Sequence, residues 1–76
     1  MDRSMTVTDV TTNKKVVLTT GRVKNYIEKY GLKPIMDKRL DGVVVLQFAS
    51  FRKVRIPLDV YDQVVDWFEK QIKLDD

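Results

Sequence analysis

The sequence contains neither cysteine nor histidine. Disulfide bonds and zinc sites built on Cys or His ligands are therefore excluded as stabilising devices. The same absences remove the usual general base near neutral pH, the thiol nucleophile and the imidazole metal ligand. A chain without cysteine also fits a reducing compartment, and we expect a cytoplasmic protein.

Glycine and serine are scarce. The three glycines, Gly21, Gly31 and Gly42, form no phosphate-binding motif, and the two serines, Ser4 and Ser50, have no recognisable nucleophile setting. Four carboxylates share one face of the last predicted helix, at Asp59, Asp62, Asp66 and Glu69. A metal needs ligands that converge from several directions, so a solvated helix face is the expected interpretation. We predict that the protein is not an enzyme and holds no cofactor or metal.

Long apolar runs are also missing. The longest, Val43–Leu46, is far shorter than the roughly 20 residues of a membrane helix. The N-terminus lacks the apolar region of a signal peptide, so we expect no membrane association. A chain of 76 residues is long enough for one core, and we predict a single domain over residues 1–76 with residues 1–4 frayed.

Charge is unevenly distributed along the chain. Residues 1–58 hold twelve Lys or Arg against five Asp or Glu, a balance of +7, whereas residues 59–76 hold two against six, a balance of −4. Such asymmetry indicates either a bipolar surface that meets a charged partner or a solvated acidic helix face.

Hydrophobic periodicity predicts an α+β domain with the element order ββαβββα. The five strands are expected over residues 5–10, 15–20, 35–40, 43–48 and 52–58. Thr19 or Thr20 opens a first helix that ends at Gly31, and Asp59 is the expected N-cap of a second helix reaching Ile72. The simplest architecture is a two-layer sandwich in which an antiparallel sheet of about five strands has both helices on one face.

Side-chain alternation predicts the register of the last two strands. A two-residue turn at Ala49 and Ser50 would place Lys53 and Arg55 on the core face. A three-residue loop over residues 49–51 instead pairs Leu46 with Val54 and Val44 with Ile56, so the apolar residues share the core face.

The sheet face opposite the helices then has no covering element. It combines an apolar centre with a basic margin, a pattern that marks interaction sites on monomers. A partly closed barrel or a third covering element would bury its valines instead. Val60, Trp67 and Leu74 recur at seven-residue spacing, and they either pack beneath the first hairpin or present Trp67 to a partner. The predicted partner-binding residues are Val43, Val45, Phe51, Arg52, Lys53, Arg55 and Trp67.

These features favour a small non-enzymatic binding protein that contacts an acidic protein surface. It would act as a regulator, adaptor or inhibitor, like the accessory factors found among bacterial and phage small proteins. The alternative is a nucleic-acid-binding module that uses the basic strand at residues 52–55 and the basic turns, where cations are interleaved with aromatics. A third hypothesis is a homodimer formed through the open sheet face or the Val60, Trp67 and Leu74 line.

Overall fold

The chain forms four strands and two helices within the residues that the computed structural model describes, 3–48 and 53–75. The elements are β1 (Ser4–Thr8), β2 (Lys15–Thr19), α1 (Thr20–Tyr30), β3 (Val43–Leu46), β4 (Val54–Pro57) and α2 (Leu58–Asp75). The strands make two antiparallel sheets of two strands each, β1 with β2 and β3 with β4. The α+β class is confirmed, whereas the single sheet of about five strands is not.

The first hairpin forms where the sequence is rich in Val and Thr, which suit a half-buried pleated surface. Val7 pairs with Val16, and Met5 pairs with Leu18. The predicted fraying of residues 1–4 is corrected in part, because Ser4 belongs to β1 and the Arg3 carbonyl accepts the Thr20 N–H at 2.9 Å. These contacts tie the start of β1 to the start of α1.

Helix α1 begins and ends at the predicted signals. The Thr19 hydroxyl accepts the Arg22 N–H at 3.2 Å, which satisfies one of the free donors of the first turn. At the other end Gly31 has a φ of +85°, and its N–H donates to the Ile27 carbonyl at 2.7 Å. A residue with a side chain rarely adopts this backbone conformation, so glycine suits the position.

The strand predicted over residues 35–40 does not form. Met36 makes an isolated bridge to Val44, supported by one hydrogen bond on either side. Beyond the bridge the Asp37 carboxylate accepts the N–H groups of Arg39 and Leu40 at 2.7 and 3.0 Å, which turns the chain away from β3. Pro34 supplies no N–H on the other side. The segment is therefore a connection that touches β3 at one residue.

The predicted register of the second hairpin is confirmed. Val44 pairs with Ile56 and Leu46 pairs with Val54, and all four side chains are buried. The loop over residues 49–51, from which we derived this register, lies outside the described residues. The alternation of apolar and polar side chains was sufficient to predict this register because a slip by one residue would have moved Arg55 onto the core face.

Helix α2 starts one residue earlier than predicted. Leu58 is its first residue and is 37% exposed, so it does not join the core face of β4, and Asp59 lies in the first turn rather than at the N-cap. Tyr61, Val64 and Phe68 are buried as expected. Ile72, one turn after Phe68 on the same helix, is 44% exposed.

One hydrophobic core joins the helices to both hairpins. Its buried members are Val7, Leu18, Val23, Tyr26, Val44, Leu46, Phe48, Val54, Ile56, Tyr61, Val64 and Phe68. Leu18, Val44 and Ile56 are completely buried, and they come from β2, β3 and β4. Each hairpin alone is at best marginally stable in water, so shared burial is what makes them one domain.

Asp9 joins the two hairpins through hydrogen bonds. Its side chain accepts the Thr11 N–H, the Thr11 hydroxyl and the Thr12 N–H at 2.7, 2.5 and 3.2 Å, which orders the turn after β1. Its other carboxylate oxygen accepts the backbone N–H of Arg55 in β4 at 3.3 Å. The next residue, Val10, donates to the Arg55 carbonyl at 2.8 Å. Only 5% of Asp9 is exposed.

The environment of Asp9 makes its ionised form stabilising. Burial acts to raise the pKa of Asp9, but the hydrogen bonds from Thr11, Thr12 and Arg55 outweigh it and hold the pKa below its ordinary value of 3.8. A carboxyl whose pKa is lower in the folded state contributes stability at pH values above its unfolded pKa. That contribution is lost as the pH falls through the folded pKa.

We predict that Asp9→Asn destabilises the protein by about 2 kcal/mol at pH 7, because a charged acceptor of four hydrogen bonds becomes an amide. For a domain of this size that lowers the thermal midpoint by roughly 10 °C. Thermal unfolding followed by circular dichroism measures it, with Asp62→Asn on the exposed surface of α2 as the control.

The difference between the wild type and Asp9→Asn should shrink as the pH is lowered below 4, since the wild-type carboxyl then becomes protonated too. A difference that stays constant from pH 7 to pH 2.5 would contradict an ionised Asp9 as the stabilising form.

Candidate functional site

A groove lies between the open face of the second hairpin and the connection from α1 to β3. Its volume is about 510 Å³. We name it the basic groove, and its lining residues are Tyr30, Ile35, Met36, Asp37, Lys38, Arg39, Val45, Gln47, Lys53 and Arg55. Asp37 is the only acidic residue in this set, against four Lys or Arg.

Asp37 and Arg55 form an ion pair inside the groove. The Arg55 Nε lies 2.7 Å from an Asp37 carboxylate oxygen, and the Asp37 side chain is only 7% exposed. The second carboxylate oxygen of Asp37 accepts the backbone N–H groups of Arg39 and Leu40. Asp37 therefore attaches the connection to β4 and shapes the turn that carries the next two cations.

The same contacts keep Asp37 ionised. The Arg55 side chain, followed by the Arg39 N–H, lowers the pKa of Asp37 below its ordinary value of 3.8, and desolvation opposes this only partly. The ion pair therefore persists throughout the neutral and mildly acidic range. Arg55 has its charge balanced within the protein, so it is not an unpaired cation available to a partner.

The other three cations of the groove have no such partner. Within the described residues, Lys38, Arg39 and Lys53 make no ion pair, and all lie at or near the surface. Lys38 and Arg39 sit in the turn that Asp37 organises, and Lys53 lies directly before β4. They approach the groove from two sides and leave it with an excess of positive charge.

The floor and one wall of the groove are aliphatic. Val45 is half-buried at the centre of β3, while Ile35 and Met36 are 42% and 41% exposed on the connection. Two large apolar side chains exposed at neighbouring positions, beside unpaired cations, form the kind of patch that marks an interaction surface.

Tyr30 lines the basic groove on the side of α1 and packs on Tyr26, which lies behind it. The buried Tyr26 hydroxyl lies 3.3 Å from the Val45 carbonyl, to which it donates. Burial, with smaller contributions from Tyr61 and Tyr30, raises the pKa of Tyr26 to about 12, so it remains a neutral donor. Tyr30 packs on it with ring centroids 5.1 Å apart and is itself 36% exposed.

The structure brings together some of the residues predicted to bind a partner. Val45, Lys53 and Arg55 all line the basic groove. Val43 is half-buried and, two residues before Val45 on β3, lies on the same strand face outside the groove lining. Phe51 and Arg52 lie outside the described residues.

Trp67 is placed elsewhere. It is half-buried on α2 and packs against the core together with Val60. The side chain of Leu74 lies outside the described residues. Trp67 therefore does not contribute to the basic groove.

Sequence reasoning missed the residues that build the groove's second wall. The sequence predicts a strand for Ile35 and Met36, and it gives Tyr30 and Asp37 no role in binding. One available signal was the position of Asp37 two residues before Arg39, since an Asp side chain often accepts the backbone N–H of the residue two positions later. Its contact with Arg55, eighteen residues away, has no local signature.

The described residues form neither a metal cluster nor a membrane-spanning helix. No group of three acidic side chains among them is arranged to hold a metal ion. Across the same residues, neither helix combines the length and the apolar character needed to cross a membrane.

Comparison of the chain with protein-family models, with curated proteins and with solved structures finds no match.

We predict that Arg55→Glu lowers the thermal midpoint by several degrees at pH 7, because it places a second carboxylate beside Asp37. Lys53→Glu makes the same charge change two residues earlier at an unpaired surface position, and it should leave the midpoint nearly unchanged. Thermal unfolding of the two variants measures the difference. Equal midpoints would mean that the Asp37–Arg55 pair does not hold the connection in place.

Proposed function

We propose that the protein is a small non-enzymatic binding protein whose basic groove docks on an acidic segment of a partner protein. The observation that carries this proposal is that exposed aliphatic side chains lie beside cations that form no ion pair. The aliphatic residues are Ile35 and Met36, and the cations are Lys38, Arg39 and Lys53. Apolar contact would supply affinity, and the cations would steer and orient an acidic partner.

A protein partner is favoured over nucleic acid by the nature of the exposed apolar surface. Proteins that bind single strands stack bases on aromatic rings. The basic groove offers aliphatic side chains at its centre, and the one aromatic residue among its described lining residues, Tyr30, already packs against Tyr26. Aliphatic side chains beside cations suit a polypeptide in which apolar and acidic residues are mixed.

The mechanism is occupation of the partner's surface. The Asp37–Arg55 pair and the Met36 bridge hold the groove walls in place before binding. A preformed surface loses little conformational entropy on association, which favours affinity for a domain this small. Such docking would make the protein a regulator, an adaptor or an inhibitor, according to what the covered segment does in the partner.

We predict that the triple variant Lys38→Glu, Arg39→Glu and Lys53→Glu binds its partner at least about ten-fold more weakly than the wild type, since each exposed charge contact is worth up to about 1 kcal/mol. The matched control reverses Lys14, Lys15 and Lys24, which have the same summed charge and do not line the groove. Affinity capture from a lysate of the native host, quantified for all three proteins with and without nuclease, provides the measurement.

Loss of the same captured proteins from the triple variant, and not from the control, would support the groove as the docking surface. Equal loss from both variants would indicate a response to net charge alone. Capture that disappears on nuclease treatment would favour nucleic acid as the ligand and overturn the proposal.

A further inference from the structure

A second, smaller cleft continues the basic groove onto the side of α1. Its volume is about 110 Å³, and it shares two lining residues, Tyr30 and Gln47, with the basic groove. We name it the α1 cleft. The two cavities are therefore neighbours separated by one tyrosine and one glutamine, and a ligand leaving the groove in this direction passes directly into the cleft.

The α1 cleft is basic, and none of the described residues that line it carries a carboxylate. Arg22, Asn25 and Lys29 line it from α1, and their spacing of three and four residues places them on one side of the helix. The Arg22 Nη1 donates to the Val17 carbonyl at 3.1 Å, and the Lys29 Nζ lies 5.3 Å from the centre of the Tyr30 ring. Both cationic side chains are therefore held by protein contacts near the cleft.

The size of the cleft limits what can enter it. Its volume is about one fifth of the 510 Å³ of the basic groove, so it receives a smaller part of a ligand than the groove does. One side chain on an extended backbone fits, and the positive lining selects a carboxylate.

We infer that the partner segment is an extended acidic polypeptide that crosses from the basic groove over Tyr30 to the α1 cleft, where Lys29 binds one acidic side chain. The inference rests on the proposed function and adds the conformation and the charge pattern of the ligand. Apolar residues of the segment contact Ile35 and Met36, and the acidic residue that enters the cleft lies further along the same chain.

The dimensions of the molecule set the length of such a ligand. The shorter axes measure 23 and 22 Å, and extended chain advances about 3.3 Å per residue, so about seven residues cross the molecule. Four residues span about 13 Å, more than half of that width, so an extension of about four residues is enough to pass from the basic groove beyond Tyr30.

The experiment uses three fluorescent peptides and a thymidine oligonucleotide, and it compares the full-length wild type with two single variants and with the groove triple variant Lys38→Glu, Arg39→Glu and Lys53→Glu. The anchor peptide has two leucines flanked by glutamates, and the other two peptides extend it by about four glutamates at either the N- or the C-terminus. Lys29→Glu is compared with Lys24→Glu, a reversal on the same helix at an exposed residue that lines neither cavity. Fluorescence anisotropy at low salt measures affinity.

We expect one of the extended peptides to bind the wild type about five-fold more tightly than the anchor peptide, as one further charge contact allows. Lys29→Glu should remove that gain and leave binding of the anchor peptide unchanged. Lys24→Glu should retain most of the gain. Circular dichroism confirms that both variants are folded.

Three results would overturn the inference in distinguishable ways. If the extended peptides keep their gain in Lys29→Glu, the α1 cleft is not a subsite, while the proposed function stands. If the anchor peptide does not bind the wild type, or binds the groove triple variant equally well, the proposed function fails as well. Both cavities would be assigned to nucleic acid if a thymidine oligonucleotide of equal charge binds the wild type more tightly than every peptide does and loses this binding in Lys29→Glu.

Discussion

Arg55 is the residue on which the arrangement of the chain depends. Its backbone N–H donates to the Asp9 carboxylate and its carbonyl accepts the Val10 N–H, which attaches the second hairpin to the turn of the first. Its side chain binds Asp37 and so fixes the connection that follows α1. One residue therefore links three segments that are distant in sequence. In a small domain without cysteine, such links supplement a core that on its own gives only marginal stability.

The two aspartates bound to Arg55 have different consequences for function. Asp9 is almost completely buried, and its hydrogen bonds act only on the fold. Asp37 lies in the groove, where it balances one positive charge and holds the turn of Lys38 and Arg39. The charge left over for a partner is therefore set by a structural contact. Without Asp37 the groove would have one more free cation and a wall no longer attached to β4.

The sequence predicted those parts of the fold that depend on local pattern. Alternation of apolar residues was enough to pair Val44 with Ile56, and Thr19 with Gly31 bounded α1 correctly. The strand over residues 35–40 was wrong because its single bridge ends where Asp37 turns the chain, and that turn is stabilised by Arg55. Contacts across 18 and 46 residues leave no periodic signal, so the groove wall and the joint between the hairpins could not be derived.

A standard protein–protein interface would cover a substantial fraction of the accessible surface of this molecule. A standard interface takes about 800 Å² from each partner, roughly one seventh of the 5519 Å² accessible here. The basic groove and the α1 cleft adjoin across Tyr30 and Gln47 and can lie within a single interface of that size. Because Asp37 is bound to Arg55, the turn that carries Lys38 and Arg39 is attached to β4 without a ligand. For the proposed docking function, that division, with aliphatic contact at the centre and positive charge around it, would favour one acidic segment over general attraction to any polyanion.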